Sequence, residues 1–183
     1  MKTKVINDVV VGIDLGTTYS CCHYYDIQQK KYETLKYLDG KSTIASIVNF
    51  DQQPVLVGHP SQFAICEVKR LIGMKYDDPK VQDLINRNTW PFEIVPGEDG
   101  YAAVQMYSTL SGKEEIMMPE MVSAIVLKEI HIELQRNLGI SPDQTVEAIV
   151  TVPAYFNDEQ KDRTKRAALM SGFNLRRILS EPS

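Results

Sequence analysis

Cysteine is scarce in this 183-residue chain, and its three copies, Cys21, Cys22 and Cys66, are odd in number with two of them adjacent. Neither a disulfide framework nor a zinc spacing can be built from them, so reduced thiols are expected. No run of about 18 apolar residues suggests a membrane-spanning helix, and Met1–Asp8 lacks the apolar core of a signal peptide. The expected location is cytoplasmic. Charge of one sign is also missing: 20 basic and 24 acidic residues are mixed along the chain, for a formal charge of −4. Without a basic stripe or a polybasic patch, nucleic acid and membrane are not expected as partners. His23 and His59 have no companions at metal-ligand spacing and read as structural or surface side chains. Internal repeats, low-complexity tracts and flexible linkers are absent. The length suits one domain, or one and a half at roughly 150 residues each.

What is present centres on Val9-Val10-Val11-Gly12-Ile13-Asp14-Leu15-Gly16-Thr17-Thr18-Tyr19-Ser20. A β-branched apolar run ends in an acid, a glycine and two hydroxyls before a second strand-like segment begins at Tyr19. A glycine beside Thr17 and Thr18 lets backbone N–H groups and hydroxyls converge on one point, as an anionic phosphate requires. Asp14 is a hard oxygen ligand suited to magnesium or its water shell. An ordinary hairpin with a turn acid fits these residue types equally well. No Gly-Lys-Ser or Gly-Lys-Thr follows, so this is not a Walker loop.

Further along, Cys21–Tyr25 continues the strand, Asp39-Gly40 marks a turn, and Ile44–Phe50 and Val55–Val57 read as strands. Apolar residues Phe63, Ile65, Val68, Leu71 and Ile72 predict one helix from Ser61 to Ile72, with Ser61 as N-cap. Lys69 near its end reads as a solvated lysine. A short helix is expected over Pro79–Asn88, an aromatic edge strand over Trp90–Val95 with Trp90 as a core anchor, and a meander through Tyr101–Tyr107 and the Ser111-Gly112 turn. Pro119 opens a long helix whose row Val122, Val126, Ile130, Leu134 and Leu138 is core packing, closed by Gly139, with Met118 a poor N-cap.

The last third reads as a βαβ unit: a strand over Val146–Val152, a helix capped by Asn157 or Asp158 and running to about Met170, Gly172, and a strand over Leu175–Leu179. In open α/β sheets, ligands bind beyond the carboxyl ends of strands. Asp14, Pro153 and Glu181 all fall just past such ends, which places the two acids at one crevice.

Ile13-Asp14-Leu15-Gly16-Thr17-Thr18-Tyr19-Ser20 resembles the first phosphate loop of the 70-kDa heat-shock (DnaK-type) chaperones. Lys69-Arg70-Leu71-Ile72-Gly73 resembles that family's catalytic-lysine segment, Val150–Asp158 the strand and helix start that follow it, and Glu181-Pro182 the passage into a second lobe. The resemblance implies an α/β fold: a ribonuclease H-like, actin-like ATPase lobe with a mixed sheet, flanking helices and a smaller β-rich subdomain. The core subdomain would comprise about 1–39 and 112–183, and the smaller one about 40–111. It further implies ATP/ADP and Mg2+ as cofactors. Gly16, Thr17, Thr18 and Tyr19 would bind nucleotide, Asp14 and Glu181 would act through magnesium-bound water, and Lys69, Asp14 and Glu181 would form the catalytic set. Pro153, Tyr155 and Lys161 would relay nucleotide state between lobes. J-domain co-chaperones and nucleotide-exchange factors are the implied partners.

Three positions depart from the family pattern. The chain is shorter between Gly58 and Lys69, Ala45 stands where a proline is usual, and Lys161 replaces an arginine of the relay, a point charge in place of a planar fork. The match covers the first lobe only, so a lobe truncated before the second lobe and the peptide-binding domain is expected. Weak nucleotide binding, little turnover, and self-association through surface left exposed would follow. The alternative is a non-hydrolysing interaction module that binds co-chaperones or a complementary lobe. A sugar or acetate kinase of the same superfold is disfavoured by the Lys69–Gly73 and Val152–Asp158 matches.

Overall fold

A computed structural model describes residues 9–51, 53–108 and 111–182. The segment Met1–Asp8, read above for targeting signals, lies outside them. The main sheet has six strands: β1 (Val9–Asp14), β2 (Tyr19–Asp26), β3 (Lys31–Thr34), β4 (Ile44–Ala45), and two later ones, β11 (Val146–Val152) and β12 (Asn174–Ser180). Their order is β12-β11-β1-β2-β3, with β4 pairing on β2. β1 and β2 form the expected antiparallel hairpin, while β11 runs parallel to both β1 and β12. Alternation explains the burial: Val9, Val11 and Ile13 of β1 and Val146, Ala148, Val150 and Val152 of β11 all point to one buried face.

Among the described residues three α-helices accompany the sheets: α1 (Pro79–Arg87), α2 (Pro119–Leu138) and α3 (Asp158–Met170). Proline at N1 starts both α1 and α2, and Met118 gives α2 no side-chain cap, as its chemistry dictates. Val122, Val126, Ile130 and Leu134 are buried along α2, and Gly139 ends it in the left-handed conformation. α3 is the crossover between β11 and β12, and Asn157 and Gln160 close a reciprocal capping box at its start.

Two smaller antiparallel sheets complete the described residues. β5 (Ile47–Asn49), β6 (Leu56–Val57) and β7 (Ile65–Cys66) form one, and β8 (Glu93–Pro96), β9 (Ala102–Ser108) and β10 (Lys113–Met117) form the expected meander. The aromatic strand starts later than expected, at Glu93, with Trp90 half-buried and stacked on the buried Phe92.

The helix expected over Ser61–Ile72 does not form. In its place stand β7, which pairs with β5, and a 3₁₀ turn over Val68–Arg70. Ser61 Oγ accepts the Phe63 N–H at 3.2 Å, a local bond that competes with helix, and Glu67 breaks any continuous helix with φ of 53°. The apolar spacing is satisfied by alternating burial at Ile65 and by the tight turn at Val68, Leu71 and Ile72.

His131, buried on α2, donates from Nδ1 to the Ser171 carbonyl at 3.2 Å and stacks on Phe173. Burial holds its pKa below the ordinary 6.5, with Lys128 pushing the same way and the Ser171 bond opposing. The unfolded chain therefore binds the proton first as pH falls. Stability is full above about pH 6.5 and is lost as pH falls toward the depressed folded value. Urea midpoints measured between pH 7.5 and 5 are expected to fall with pH, and less steeply in a His131→Phe variant; equal slopes would remove His131 as the cause.

Candidate nucleotide site

The carboxyl ends of β1, β11 and β12 lie side by side, because Asp14 is in register with Thr151, and Val152 with Ser180. Asp14, Pro153 and Glu181 therefore emerge on one edge of the sheet, as expected. The Glu181 N–H donates to the Val152 carbonyl at 2.8 Å and fixes the start of the final segment.

The turn after β1 is tight. A Cβ at Gly16 would lie 1.9 Å from the Tyr19 carbonyl oxygen, so only glycine fits there. Thr18 and Tyr19 are exposed and Thr17 partly so. Beneath them, Ser46, between β4 and β5, donates its hydroxyl to the Gly16 carbonyl at 2.8 Å and its backbone N–H to the Thr18 carbonyl at 2.8 Å.

Lys69 is not the solvated lysine expected at that position: it is 8% exposed. Its Nζ lies 3.7 Å from Glu181 Oε1 and 5.8 Å from the centre of the Phe156 ring. Burial lowers its pKa from the ordinary 10.5, and the carboxylates of Glu181 and Asp14 oppose that shift. Glu181 is thus the acid in contact with this ammonium, and the charge of Asp14 also favours its protonated form. Lys69 also lines a small hollow with Gly16, Thr17 and Ser46, and an open cleft of about 510 Å³ with Met74, Tyr155, Phe156 and Gln160. The sequence reading and the structure therefore bring together Asp14, Gly16, Thr17, Lys69 and Glu181. Among the described residues no three His, Cys, Asp or Glu side chains come together as a metal-binding set. A divalent ion at this edge would rest on Asp14, Glu181 and water, a donor set of hard oxygens that suits magnesium.

Of the predicted relay residues, Tyr155 lines the open cleft together with Lys69. The Pro153 carbonyl accepts the Phe156 N–H at 3.0 Å, Tyr155 is 80% exposed, and Phe156 packs with Ile72, Val152 and Ile178. Lys161 is half-buried in the first turn of α3. What ties this loop to Lys69 was missed in the sequence. A Cβ at Gly73, whose φ is +65°, would lie 2.8 Å from Gln160 Cα, and Gln160 Nε2 donates to Met74 Sδ at 3.4 Å. The pattern Asn157-x-x-Gln160 is a capping-box signature and could have found Gln160. Ser46, separated from the turn it holds by 30 residues, leaves no local signal.

Parallel strands with acids at or just past their carboxyl ends, a tight glycine turn followed by hydroxyls and a buried lysine beside Glu181 fit a lobe of the actin-like ATPase fold. The family model described as Hsp70 protein matches residues 10–183, and the chain belongs to the Hsp70 family. It is 36% identical, over its full length, to a heat shock protein of Pyricularia oryzae, covering 29% of that protein. It is 38% identical over 94% of its length to the heat shock cognate HSP70 protein of Trypanosoma brucei brucei, covering 25% of it. A ribosome-associated molecular chaperone of Zygosaccharomyces rouxii is 35% identical over 94% of the chain, with 28% of its own length covered. The chain thus spans under a third of the length of the relatives it matches. Among the described residues no helix is long and apolar enough to cross a membrane.

Proposed function

We propose that this chain is the ATP-binding lobe of a heat-shock-type chaperone. The observation that carries the reading is the strand register that brings Asp14 and Glu181 to one sheet edge, with the buried Lys69 Nζ 3.7 Å from Glu181 Oε1. In this reading Gly16, Thr17, Thr18 and Tyr19 cradle the phosphates of ATP or ADP. Asp14 and Glu181 would hold Mg2+ through water, and the ion would supply neutralisation of phosphate charge. Lys69 exchanges its weak contact with Glu181 for the developing charge on the transferred phosphoryl group. Gly73 and Gln160 connect Lys69 to the Pro153, Tyr155 and Lys161 relay. Two subdomains belong to the proposal, a core of about 1–39 and 112–183 and a smaller one of about 40–111. Cytoplasmic residence, protein folding driven by ATP, and J-domain or nucleotide-exchange partners are proposed on family membership alone. A second reading, an interaction module for a complementary lobe, is favoured by one observation: Tyr155, 80% exposed beside the relay loop.

Calorimetric titration of the 183-residue polypeptide with Mg·ADP separates the two. Each charge-assisted contact supplied from outside this lobe is worth about 1.5–3 kcal/mol, so three missing contacts weaken binding by roughly a thousandfold or more. Magnesium-dependent binding on the order of high micromolar to millimolar is expected, with phosphate release hardly above background. No heat at millimolar Mg·ADP would favour the interaction module. Robust turnover abolished by Lys69→Ala would show that this lobe catalyses by itself.

A further inference from the structure

We infer that Ser46 is the positioning residue of the phosphate turn: it holds the turn so that two backbone N–H groups face the anion. This rests on the nucleotide reading above and extends it to a residue outside the turn. Three bonds carry the argument. Ser46 Oγ donates to the Gly16 carbonyl at 2.8 Å, the Ser46 N–H donates to the Thr18 carbonyl at 2.8 Å, and Ser46 Oγ lies 2.9 Å from Ser20 Oγ. A hydroxyl has one proton. Ser46 gives its proton to Gly16, so Ser20, almost fully buried, must be the donor to Ser46. The chain of hydroxyls has one direction, ending on the turn.

Peptide planarity converts those two anchored carbonyls into a statement about two amides. In a trans peptide the C=O of one residue and the N–H of the next point in opposite directions. With the Gly16 carbonyl drawn down to Ser46, the Thr17 N–H is turned away from Ser46. With the Thr18 carbonyl likewise drawn, so is the Tyr19 N–H. Two alternate amides then point to the side of the turn opposite Ser46, the arrangement of a backbone nest that takes an anionic oxygen. Ser46 can do this because it is itself held. β4 pairs with β2 on one side of it, β5 begins on the other, and the Gly58 N–H donates to the Ile47 carbonyl at 2.9 Å. A Cβ at Gly58 would crowd Ile44 Cγ1 at 3.1 Å, so this strand junction is closely packed.

The test uses nitrogen-15 NMR and calorimetry on wild type, Ser46→Ala and Ser46→Thr, titrated with Mg·ADP and inorganic pyrophosphate. In wild type, Mg·ADP and pyrophosphate are expected to shift the Thr17 and Tyr19 amides. Ser46→Ala loses both hydroxyl bonds, each worth about 0.5–1.5 kcal/mol, and is expected to bind Mg·ADP and pyrophosphate about tenfold more weakly. Amide shifts outside the turn and its neighbouring strands should stay as in wild type, which a general loosening of the fold would not allow. Ser46→Thr keeps the hydroxyl and is expected to restore most of the affinity. If wild type binds Mg·ADP but Thr17 and Tyr19 do not respond, or if Ser46→Ala binds as wild type does, the inference about Ser46 falls and the nucleotide reading stands. If wild type binds neither Mg·ADP nor pyrophosphate, both fall. Should Ser46→Ala fail to fold, the wild-type amide shifts and the Ser46→Thr affinity still decide.

Discussion

Replacing Arg163 with methionine is expected to lower the unfolding free energy by roughly 3–5 kcal/mol, the usual cost of leaving one partner of a buried ion pair uncompensated. Arg163 is 6% exposed and Glu120, its partner at 2.5 Å, is 7% exposed. Its Nε also holds Glu159 at 2.6 Å, and its guanidinium lies 3.9 Å from the Tyr101 ring centre, on which Lys75 also sits at 3.7 Å. One side chain thus joins α2, α3 and the start of β9. Glu159 can turn outward when the arginine goes, whereas Glu120 cannot leave the α2–α3 contact. The desolvated Glu120 carboxylate therefore dominates the loss, not the geometry of the pair. Urea denaturation of Arg163→Met and of the double variant Glu120→Leu/Arg163→Met checks this. The double variant is expected to regain most of the loss. A single variant within about 1 kcal/mol of wild type would show that the pair is not desolvated in solution.

That network also marks the boundary of what could be read from the sequence. Elements defined by local chemistry were legible: the β1 strand, the α2 row of apolar residues, the Asn157 cap, and the parallel β11 and β12 that bring Asp14 and Glu181 to one edge. Their signals lie within a few residues of one another. The segment before Lys69 was not legible, because five apolar residues at near-helical spacing fit equally well a strand paired to β5 followed by a 3₁₀ turn. Partner strands decided between them, and partner strands are not a local property. The burial of Lys69 followed from the same error, since a lysine at a helix end is solvated but one in a tight turn under Phe156 is not. Ser46 and the Gly73–Gln160 contact were invisible for the same reason: each joins segments distant in sequence.

Replacing Gly16 with alanine is expected to reduce Mg·ADP affinity by at least about a hundredfold, well beyond the effect of removing the Ser46 hydroxyl. Backbone conformation is not the obstacle, since Gly16 is not among the glycines with positive φ. Space is. The added Cβ would sit 1.9 Å from the Tyr19 carbonyl oxygen, and contacts under 3.0 Å are not tolerated, so the two must separate by about 1.1 Å, the difference of those values. The Tyr19 carbonyl belongs to β2, which pairs with β1 and β4 at once, and the neighbouring Thr18 carbonyl is bound to Ser46. Relief must come from the turn itself. Opening it disperses the Thr17 and Tyr19 N–H groups that the nucleotide reading directs at phosphate. Two charge-assisted contacts at about 1.5–3 kcal/mol each amount to roughly two to four decades of affinity. Gly12→Ala is the matched control, because a Cβ there meets nothing within 4 Å. Calorimetry and thermal unfolding of both variants separate loss of the cradle from loss of the fold. Gly12→Ala is expected to bind Mg·ADP as wild type does, while Gly16→Ala stays folded and does not. Equal affinity in the two variants would show that the turn after β1 is an ordinary hairpin bend and that phosphate, if bound, sits elsewhere.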